Sequence, residues 1–392
     1  MMTERKNGKR LENVVEPRGA RLDAFLYSHH ALVHAIKTAL ATGLGVLIGW
    51  LLTFVIKDPD WHSEWIVITV VVVMTMLPNV GGILLRSIYR LIATVLATLI
   101  ALGVIIFTDY NPYAIMATMI IGVGVFTFIA QNKKYRQLGV LSAITLSILL
   151  MMPEPRESVI LWRSMDILLG AVIALLVSRY VLPIRATRQL RFHMADTIEQ
   201  LAHLFGMAAA EEETPESEYE NIEDSIASGF MAQREALPLA MLEHQQVRRR
   251  KASLQHMLRC QRAILGLSRT IRRSYGHTQF GEATISALEG LQEVRTRIEG
   301  QLQEIAACIR TAVSPQLDAE LGIAHSSLKV AMKSATHGAS KPTMSPQAFI
   351  FAIEEIIQVT ELLRKDASLV SFDLAHASEE PVMPDGSEER EH

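Results

Sequence analysis

Two uncharged apolar runs, separated by a short break, constrain this chain more than any other feature of its sequence. Residues 65–77 and 91–107 contain no charged side chain. A helix built from such residues has no polar face to offer water, so it cannot lie on the surface of a soluble domain. The break at residues 78–82 contains a proline and two glycines, and Arg86 and Arg90 follow it. This pattern predicts two membrane-crossing helices joined by a turn, with both arginines where the second helix enters the bilayer.

The rest of the amino-terminal half has the same apolar character. Almost all long apolar runs precede Pro183, whereas charged residues concentrate after it. Each run is long enough, alone or with its flanking residues, to cross a bilayer as a helix. The six predicted transmembrane helices cover residues 31–56, 65–77, 83–107, 112–130, 138–152 and 159–182.

Charges alternate between the loops that join these runs. The arm of residues 1–21 is basic, as are the segments that follow the second, fourth and sixth runs, whereas residues 57–64 are net acidic. Positive loops remain in the cytoplasm, so we predict a multi-pass bacterial inner-membrane protein with both termini cytoplasmic. Trp61, Trp65 and Trp162 would mark the outer interface. Residues 1–21 lack the apolar core of a signal peptide, and we expect no cleavage there.

Three short matches relate the first three apolar runs to the last three. The matched pairs are residues 83–87 with 160–164, 43–46 with 122–125, and 68–70 with 144–146. Because each copy has an odd number of helices, the two copies must face opposite ways. The pattern predicts an inverted 3+3 repeat, a plan common in transporters, with the substrate path near the repeat interface.

The half after Pro183 has the amphipathic pattern of soluble helices. We expect an acidic connector at residues 211–224 and a carboxyl-terminal antiparallel cytoplasmic helical bundle. Its predicted helices cover residues 188–207, 240–275, 285–313, 317–334 and 346–365, the last capped by Ser345. The basic residues of the helix at 240–275 either contact anionic headgroups or form a solvated face partly neutralised by the connector.

The predicted class is an all-α membrane protein with four segments. These are a basic arm (1–21), a transmembrane domain (22–183), a cytoplasmic helical domain (184–377) and a disordered tail (378–392). Cys260 and Cys308 are the two cysteines, so we expect no disulfide framework and a reducing compartment. A formal net charge of −3 gives no reason to expect a nucleic-acid partner.

A set of polar and small residues is distributed over the two copies of the repeat. It comprises Trp65, Thr69, the turn at 78–82, Arg86, Arg90, Thr94, Arg163, Asp166, Gly170 and Pro183. With these residues, the region from about 21 to 191 resembles the FUSC (fusaric acid resistance-like) membrane proteins, in the wider group of aromatic acid exporters and aluminium-activated malate transporters. Ala93 and Ala97 stand where relatives tend to have glycine, which would loosen the closest helix contacts. The resemblance implies movement of aromatic or carboxylic anions across the inner membrane, or an undefined role there.

Arg86 and Arg163 occupy equivalent positions in the two copies. Under the inverted repeat, one lies at the cytoplasmic mouth of a pathway and the other at the periplasmic mouth. A guanidinium there could bind a carboxylate with two hydrogen bonds. Alternatively, both side chains extend to the lipid headgroups. Arg163 opposes the positive-inside trend, which favours anion contact, and Arg90 is a further candidate.

Asp166 and Lys37 are the other candidates within the apolar runs. Asp166 follows Arg163 by three residues, on the same helical face. It is either a counter-ion to Arg163 or a proton acceptor that couples export to the proton gradient. Lys37 is in line with small residues at four-residue spacing, a sign of close helix packing. It either faces the bundle interior or extends to the cytoplasmic surface.

The sequence contains no recognisable catalytic motif. It has no P-loop, dinucleotide fingerprint or nucleophile elbow, so we predict neither an enzyme nor a cofactor. His29, His30 and His34 lie close in sequence, but no Cys, Asp or Glu cluster joins them, so we predict no metal site.

Two functions of different classes remain open. The first is a passive or proton-coupled pathway that exports organic anions. A homodimer would build it, because six short helices enclose little interior and faces of small residues favour association. The second is a membrane-anchored scaffold or regulator that acts through its cytoplasmic helices. The expected partners are the lipid bilayer, a small organic anion and a second copy of the chain.

Overall fold

A computed structural model describes residues 28–58, 61–75, 79–133, 135–151, 156–209, 215–276, 291–313, 315 and 344–379. These residues form helices and their connections, and no strand occurs among them. The all-helical architecture predicted from the sequence is therefore confirmed for the described part of the chain. The structure divides into two compact units with a boundary between Ala186 and Thr187. We call them the apolar unit and the carboxyl-terminal unit.

The described residues of the apolar unit form six helices, and each overlaps a predicted span. They are α1 (His30–Val55), α2 (Glu64–Met74), α3 (Val80–Thr108), α4 (Pro112–Ala130), α5 (Arg136–Leu150) and α6 (Glu157–Tyr180). Helices α1, α3, α4 and α6 are long and apolar enough to cross a bilayer. Helices α2 and α5 are apolar but shorter, with 11 and 15 residues.

The ends of α3 and α4 follow directly from their sequences. Asn79 caps α3, since its Oδ1 accepts a hydrogen bond of 2.7 Å from the Gly82 amide. Asn111 caps α4 in the same way, with Pro112 in the first turn. Between them, Asp109 adopts a left-handed conformation with φ 47°, which ends α3. Polar and turn-forming residues thus fix the boundaries of these apolar runs.

The outer surface of the apolar unit is covered by large hydrophobic side chains. Phe107 and Phe128 are 89% and 80% exposed, and α4 buries only Ile115 and Phe126. A water-facing surface of this kind would be unfavourable. Lipid tails are as apolar as these side chains, so the surface suits a bilayer.

Inside the apolar unit, small residues allow close helix packing. A Cβ atom on Gly170 of α6 would lie 2.5 Å from the Ile66 carbonyl oxygen of α2, and one on Gly139 of α5 would lie 2.5 Å from that of Phe126 in α4. Ala93 and Ala97 are fully buried. The main helix pairs are α3 with α5 and α6, α2 with α6, α4 with α5, and α1 with α2.

Helices α3 and α6 run antiparallel. Ile83, near the start of α3, shares an apolar cluster with Ile173 and Val177, near the end of α6. Ile105, near the end of α3, shares another with Ile160, near the start of α6. The Val80 amide, at the first residue of α3, also donates to the Ile184 carbonyl beyond α6.

The carboxyl-terminal unit also contains six described helices. They are α7 (Ala186–Ala208), α8 (Glu216–Glu243), α9 (Gln245–Arg249), α10 (Lys251–Gly276), α11 (Leu291–Thr311) and α12 (Met344–Glu379). The predicted arm (1–21), the predicted helix at 317–334 and residues 380–392 of the predicted tail lie outside the described residues.

Three predictions for this unit are corrected. The continuous helix predicted at 240–275 is broken at His244, whose backbone is extended; next to the break, the Glu243 carboxylate accepts a hydrogen bond from the Thr187 amide, outside the predicted helix. Residues 216–224 of the predicted connector are helical, since acidic side chains suit the first turn of α8. Helix α12 begins at Met344 and runs to Glu379, beyond the predicted end at residue 365, because Ala367 and Val370 are still buried.

Part of the basic surface of α10 is neutralised by α8. Both Glu223 carboxylate oxygens accept hydrogen bonds from Arg269, at 2.9 and 2.6 Å. Arg272 pairs with Glu216, and its guanidinium lies 3.9 Å from the ring centre of Tyr219. These contacts fit the interpretation of a partly neutralised, solvated face.

Candidate functional site

A set of polar and charged side chains is buried inside the apolar unit. We call this set the polar core; it comprises Lys37, Thr69, Arg86, Ser87, Arg90, Thr94, Ser142, Thr145, Ser164, Asp166 and Ser178. The unit thus has an apolar exterior and a partly polar interior, the reverse of a soluble domain. Ionisable groups are costly inside a membrane and mark substrate or ion pathways when they face the interior.

Lys37 lies in the interior of the apolar unit. Its side chain is 0% exposed, and Nζ donates a hydrogen bond of 2.8 Å to the Ser178 carbonyl of α6. It therefore does not extend to the surface of this protomer.

Arg86 and Arg90 project from successive turns of α3 and are both buried. Arg86 Nη1 donates to the Val72 carbonyl of α2 at 3.3 Å. Arg90 Nη1 donates to the Thr145 hydroxyl of α5 at 3.2 Å, and its buried Nε has no hydrogen-bond partner among the described residues. A guanidinium has five N–H donors, so Arg90 retains capacity to bind an acceptor that enters the core.

Arg163 is half-buried near the start of α6, where its guanidinium lies 5.0 Å from the ring centre of Trp65. This is a cation–π contact, which leaves the edge of the guanidinium able to donate. The structure does not bring Arg163 and Arg86 together. The Ser164 hydroxyl is 2.6 Å from that of Thr98, which lies about 18 Å beyond Arg86 along the axis of α3. The two arginines are therefore near opposite ends of the α3–α6 pair.

Asp166 is buried in α6 and has one satisfied oxygen. Its Oδ1 accepts a hydrogen bond of 2.9 Å from the Trp61 indole, whereas Oδ2 has no hydrogen-bond partner among the described residues. Within the same part of the chain, Asp166 forms no ion pair with Arg163, which turns to Trp65 instead. The geometry therefore does not match the interpretation of Asp166 as counter-ion to Arg163.

Several residues of this site were missed by sequence reasoning. Trp61 was predicted at the outer interface, and its contact with Asp166, against which its side chain is buried, was not foreseen. Trp162 likewise donates to Asp58 Oδ2 at 2.9 Å. Thr145, which accepts from Arg90, was named only as part of the repeat. A hydroxyl in an otherwise apolar helix is the one sequence signal that could have indicated it.

The polar core has an excess of positive charge. Among the described residues, the buried ionisable groups of α1 to α6 are three cations and one carboxylate, namely Lys37, Arg86, Arg90 and Asp166. Neighbouring serine and threonine hydroxyls can both donate and accept hydrogen bonds. Such an interior complements a small anion that also has hydrogen-bonding groups.

The chain is similar to the inner membrane protein YeeA of Escherichia coli (strain K12), with 28% identity over 183 residues. The matched region covers 47% of this chain and 50% of YeeA, so the chain spans about half the length of that relative.

The family comparison reaches further along the chain. The sequence model of the fusaric acid resistance protein family matches residues 31–352. This range extends past the resemblance seen at residues 21–191 and includes helices of both units. Because the match covers more than half of the sequence, the predicted membership is confirmed: this chain belongs to the fusaric acid resistance protein family.

Proposed function

We propose that this protein exports small organic anions, aromatic or carboxylic, across the bacterial inner membrane. The observation that carries the proposal is the positively charged polar core inside an apolar unit. Family membership supports a membrane transport function, and the inner-membrane name of YeeA supports the location. Both termini would be cytoplasmic, and two copies of the chain would form the working assembly.

Six spans in an inverted 3+3 repeat form part of the same proposal. In this repeat α1, α2 and α3 correspond to α4, α5 and α6. The contacting pair α1–α2 then corresponds to the contacting pair α4–α5, and the pair α2–α6 corresponds to the pair α3–α5. The α3–α6 pair corresponds to itself. Arg86 and Arg163 are each the seventh residue of their helix, as the repeat requires. The helix pairing thus supports two related halves of opposite orientation.

The positions of the cations suggest a path for the anion. Lys37 contacts the end of α6, which lies beside the start of α3, so it is at the same end of the unit as Arg86. Arg90 lies one turn further inward, and Arg163 lies towards the opposite end. An anion would pass from Lys37 and Arg86, by way of Arg90, to Arg163. Asp166 would then be the group able to exchange a proton during export.

Anion flux into proteoliposomes tests this proposal. We expect the wild-type protein to pass benzoate-type or dicarboxylic anions. Arg90→Gln and Arg163→Gln should each lower the flux at least about tenfold, which corresponds to a loss of ~1.4 kcal/mol in the interaction with the anion. Arg136→Gln is the matched control, because Arg136 is exposed at the start of α5. Size-exclusion chromatography checks that each variant is folded.

The result also separates the two classes of function. Unchanged flux in Arg90→Gln and Arg163→Gln would contradict the role of these guanidinium groups. If the wild-type protein passes no anion, the membrane-anchored scaffold or regulator becomes the better interpretation. Binding of a cytosolic protein to the full chain would then support that alternative.

A further inference from the structure

Three side chains of metal-binding type meet between α10 and α12 of the carboxyl-terminal unit. His256 and Cys260 are one helical turn apart on α10, and Asp366 approaches from α12. His256 Nδ1 is hydrogen-bonded to Asp366 Oδ2, and Cys260 Sγ lies 3.8 Å from the same Nδ1. The three potential ligand atoms all lie within 4.8 Å of one another. A nitrogen, a sulfur and an oxygen ligand thus converge on one point.

The spacing of these atoms suits a tetrahedral ion. Zinc bonds of about 2.0–2.3 Å place neighbouring ligand atoms of a tetrahedron about 3.3–3.6 Å apart. The distance of 3.8 Å between Cys260 Sγ and His256 Nδ1 is close to that value. His256 Nδ1 and Asp366 Oδ2, which are hydrogen-bonded to each other, would have to move apart to reach the same spacing.

The kinds of ligand favour one metal over others. Mg²⁺ and Ca²⁺ prefer shells made of oxygen, whereas a thiolate with an imidazole favours zinc. Cys260 is 5% exposed, so its sulfur faces the interface between the helices. The His256 side chain is 38% exposed, which gives an ion access from solvent.

We infer that His256, Cys260 and Asp366 bind one Zn²⁺ ion that joins α10 to α12. Three protein ligands leave a fourth position, which water would occupy. Because solvent reaches the site, the bound ion would exchange with the surroundings. The ion would favour the folded arrangement of two helices that pack along each other.

No spacing motif in the sequence could have shown this site. His256 and Asp366 are 110 residues apart, and the pair His256–Cys260 is too short to be distinctive. The sequence-based prediction of no metal site considered only His29, His30 and His34. The inference does not depend on the transport proposal, because all three ligands belong to the carboxyl-terminal unit.

The test uses the full-length protein in detergent, carrying no polyhistidine tag and stripped with EDTA. Zinc chloride is titrated in competition with a chromophoric chelator. We expect one zinc ion per chain, and at least about tenfold weaker binding for His256→Gln, Cys260→Ser and Asp366→Asn. Cys308→Ser is the matched control and should bind as the wild type does, because Cys308 lies on α11 outside the cluster.

Cobalt substitution gives a second readout. It can be measured on the wild-type protein and therefore does not require every variant to fold. Co²⁺ bound through Cys260 should give a thiolate charge-transfer band in the wild type and in Cys308→Ser. The band should be absent from folded Cys260→Ser. A wild-type protein that binds no zinc at equimolar concentration, or a cobalt complex without the band, would overturn the inference. Equal zinc affinity in all four variants would do the same.

Discussion

At the scale of single residues, Asp166 and Trp61 form a hydrogen bond between two buried side chains of the apolar unit. A buried carboxylate is costly unless hydrogen bonds compensate for the lost water. The Trp61 indole provides the one hydrogen bond to Asp166 found among the described residues. The proposed exchange of a proton during export would give this costly carboxylate a function.

Trp61→Phe should measurably destabilise the protein. The substitution keeps an aromatic ring but removes the N–H group, so Asp166 Oδ1 would lose its donor. We expect the free energy of unfolding to fall by about 1–3 kcal/mol, the cost of leaving a buried polar group unsatisfied. Unfolding in mixed detergent micelles measures this change.

Trp162→Phe is the control for this substitution. It removes a similar hydrogen bond, to Asp58, but Asp58 is partly exposed and can turn to water. Its effect should be smaller than that of Trp61→Phe. Equal effects of the two substitutions would mean that the hydrogen bond to Asp166 has no special importance.

Sequence reasoning at this scale identified the charged residues but not their partners. Arg86, Arg90 and Asp166 stand out because charges are rare in apolar runs. Their contacts could not be predicted, because Thr145 is 55 residues from Arg90 and Trp61 is 105 residues from Asp166. Such contacts depend on how the helices pack, and a local pattern contains no information about that packing.

At the scale of elements, glycine residues allow the apolar helices to pack closely against each other. Gly170→Ala would place a methyl group 2.5 Å from the Ile66 carbonyl, so α2 and α6 would have to separate. We expect a loss of about 1–3 kcal/mol of stability, as for other overpacked cores. The thermal midpoint in detergent, followed by circular dichroism, should fall accordingly.

Two further glycines make this prediction specific. Gly139→Ala should cost a similar amount, because its Cβ would lie 2.5 Å from the Phe126 carbonyl. At Gly103 no atom lies within 4 Å of an added Cβ, so Gly103→Ala should be neutral or gain up to about 1 kcal/mol of helix propensity. A similar loss at Gly103 would show that the close contacts are not responsible.

The same scale explains which helices could be predicted. Helix α4 was predicted at residues 112–130 and occupies Pro112–Ala130, because Asn111 and Pro112 define its start locally. The interruption between α8 and α10 was missed. Beside it, Glu243 contacts Thr187, which lies 56 residues away. Local signals fix the ends of isolated runs, whereas tertiary contacts fix breaks within amphipathic ones.

At the scale of the whole molecule, the orientation predicted from the alternating loop charges can be tested on one helix. Tyr113 lies near the start of α4 and Gln131 follows its end, and both are exposed. If α4 crosses the bilayer and both termini are cytoplasmic, Tyr113 faces the periplasm and Gln131 the cytoplasm. The two residues form a matched pair, because they differ mainly in their distance along one axis.

The measurement is labelling of Tyr113→Cys and Gln131→Cys in spheroplasts with a membrane-impermeant maleimide. The background should be low, because Cys260 is buried and burial raises the pKa of the Cys308 thiol to about 11. The Cys308 thiol is then protonated at pH 7, and its reactivity should rise only as the pH approaches that value. We expect labelling of Tyr113→Cys in intact spheroplasts, and of Gln131→Cys only after permeabilisation. Labelling of both in intact spheroplasts would show that α4 does not cross the membrane, and the reverse pattern would place the termini outside.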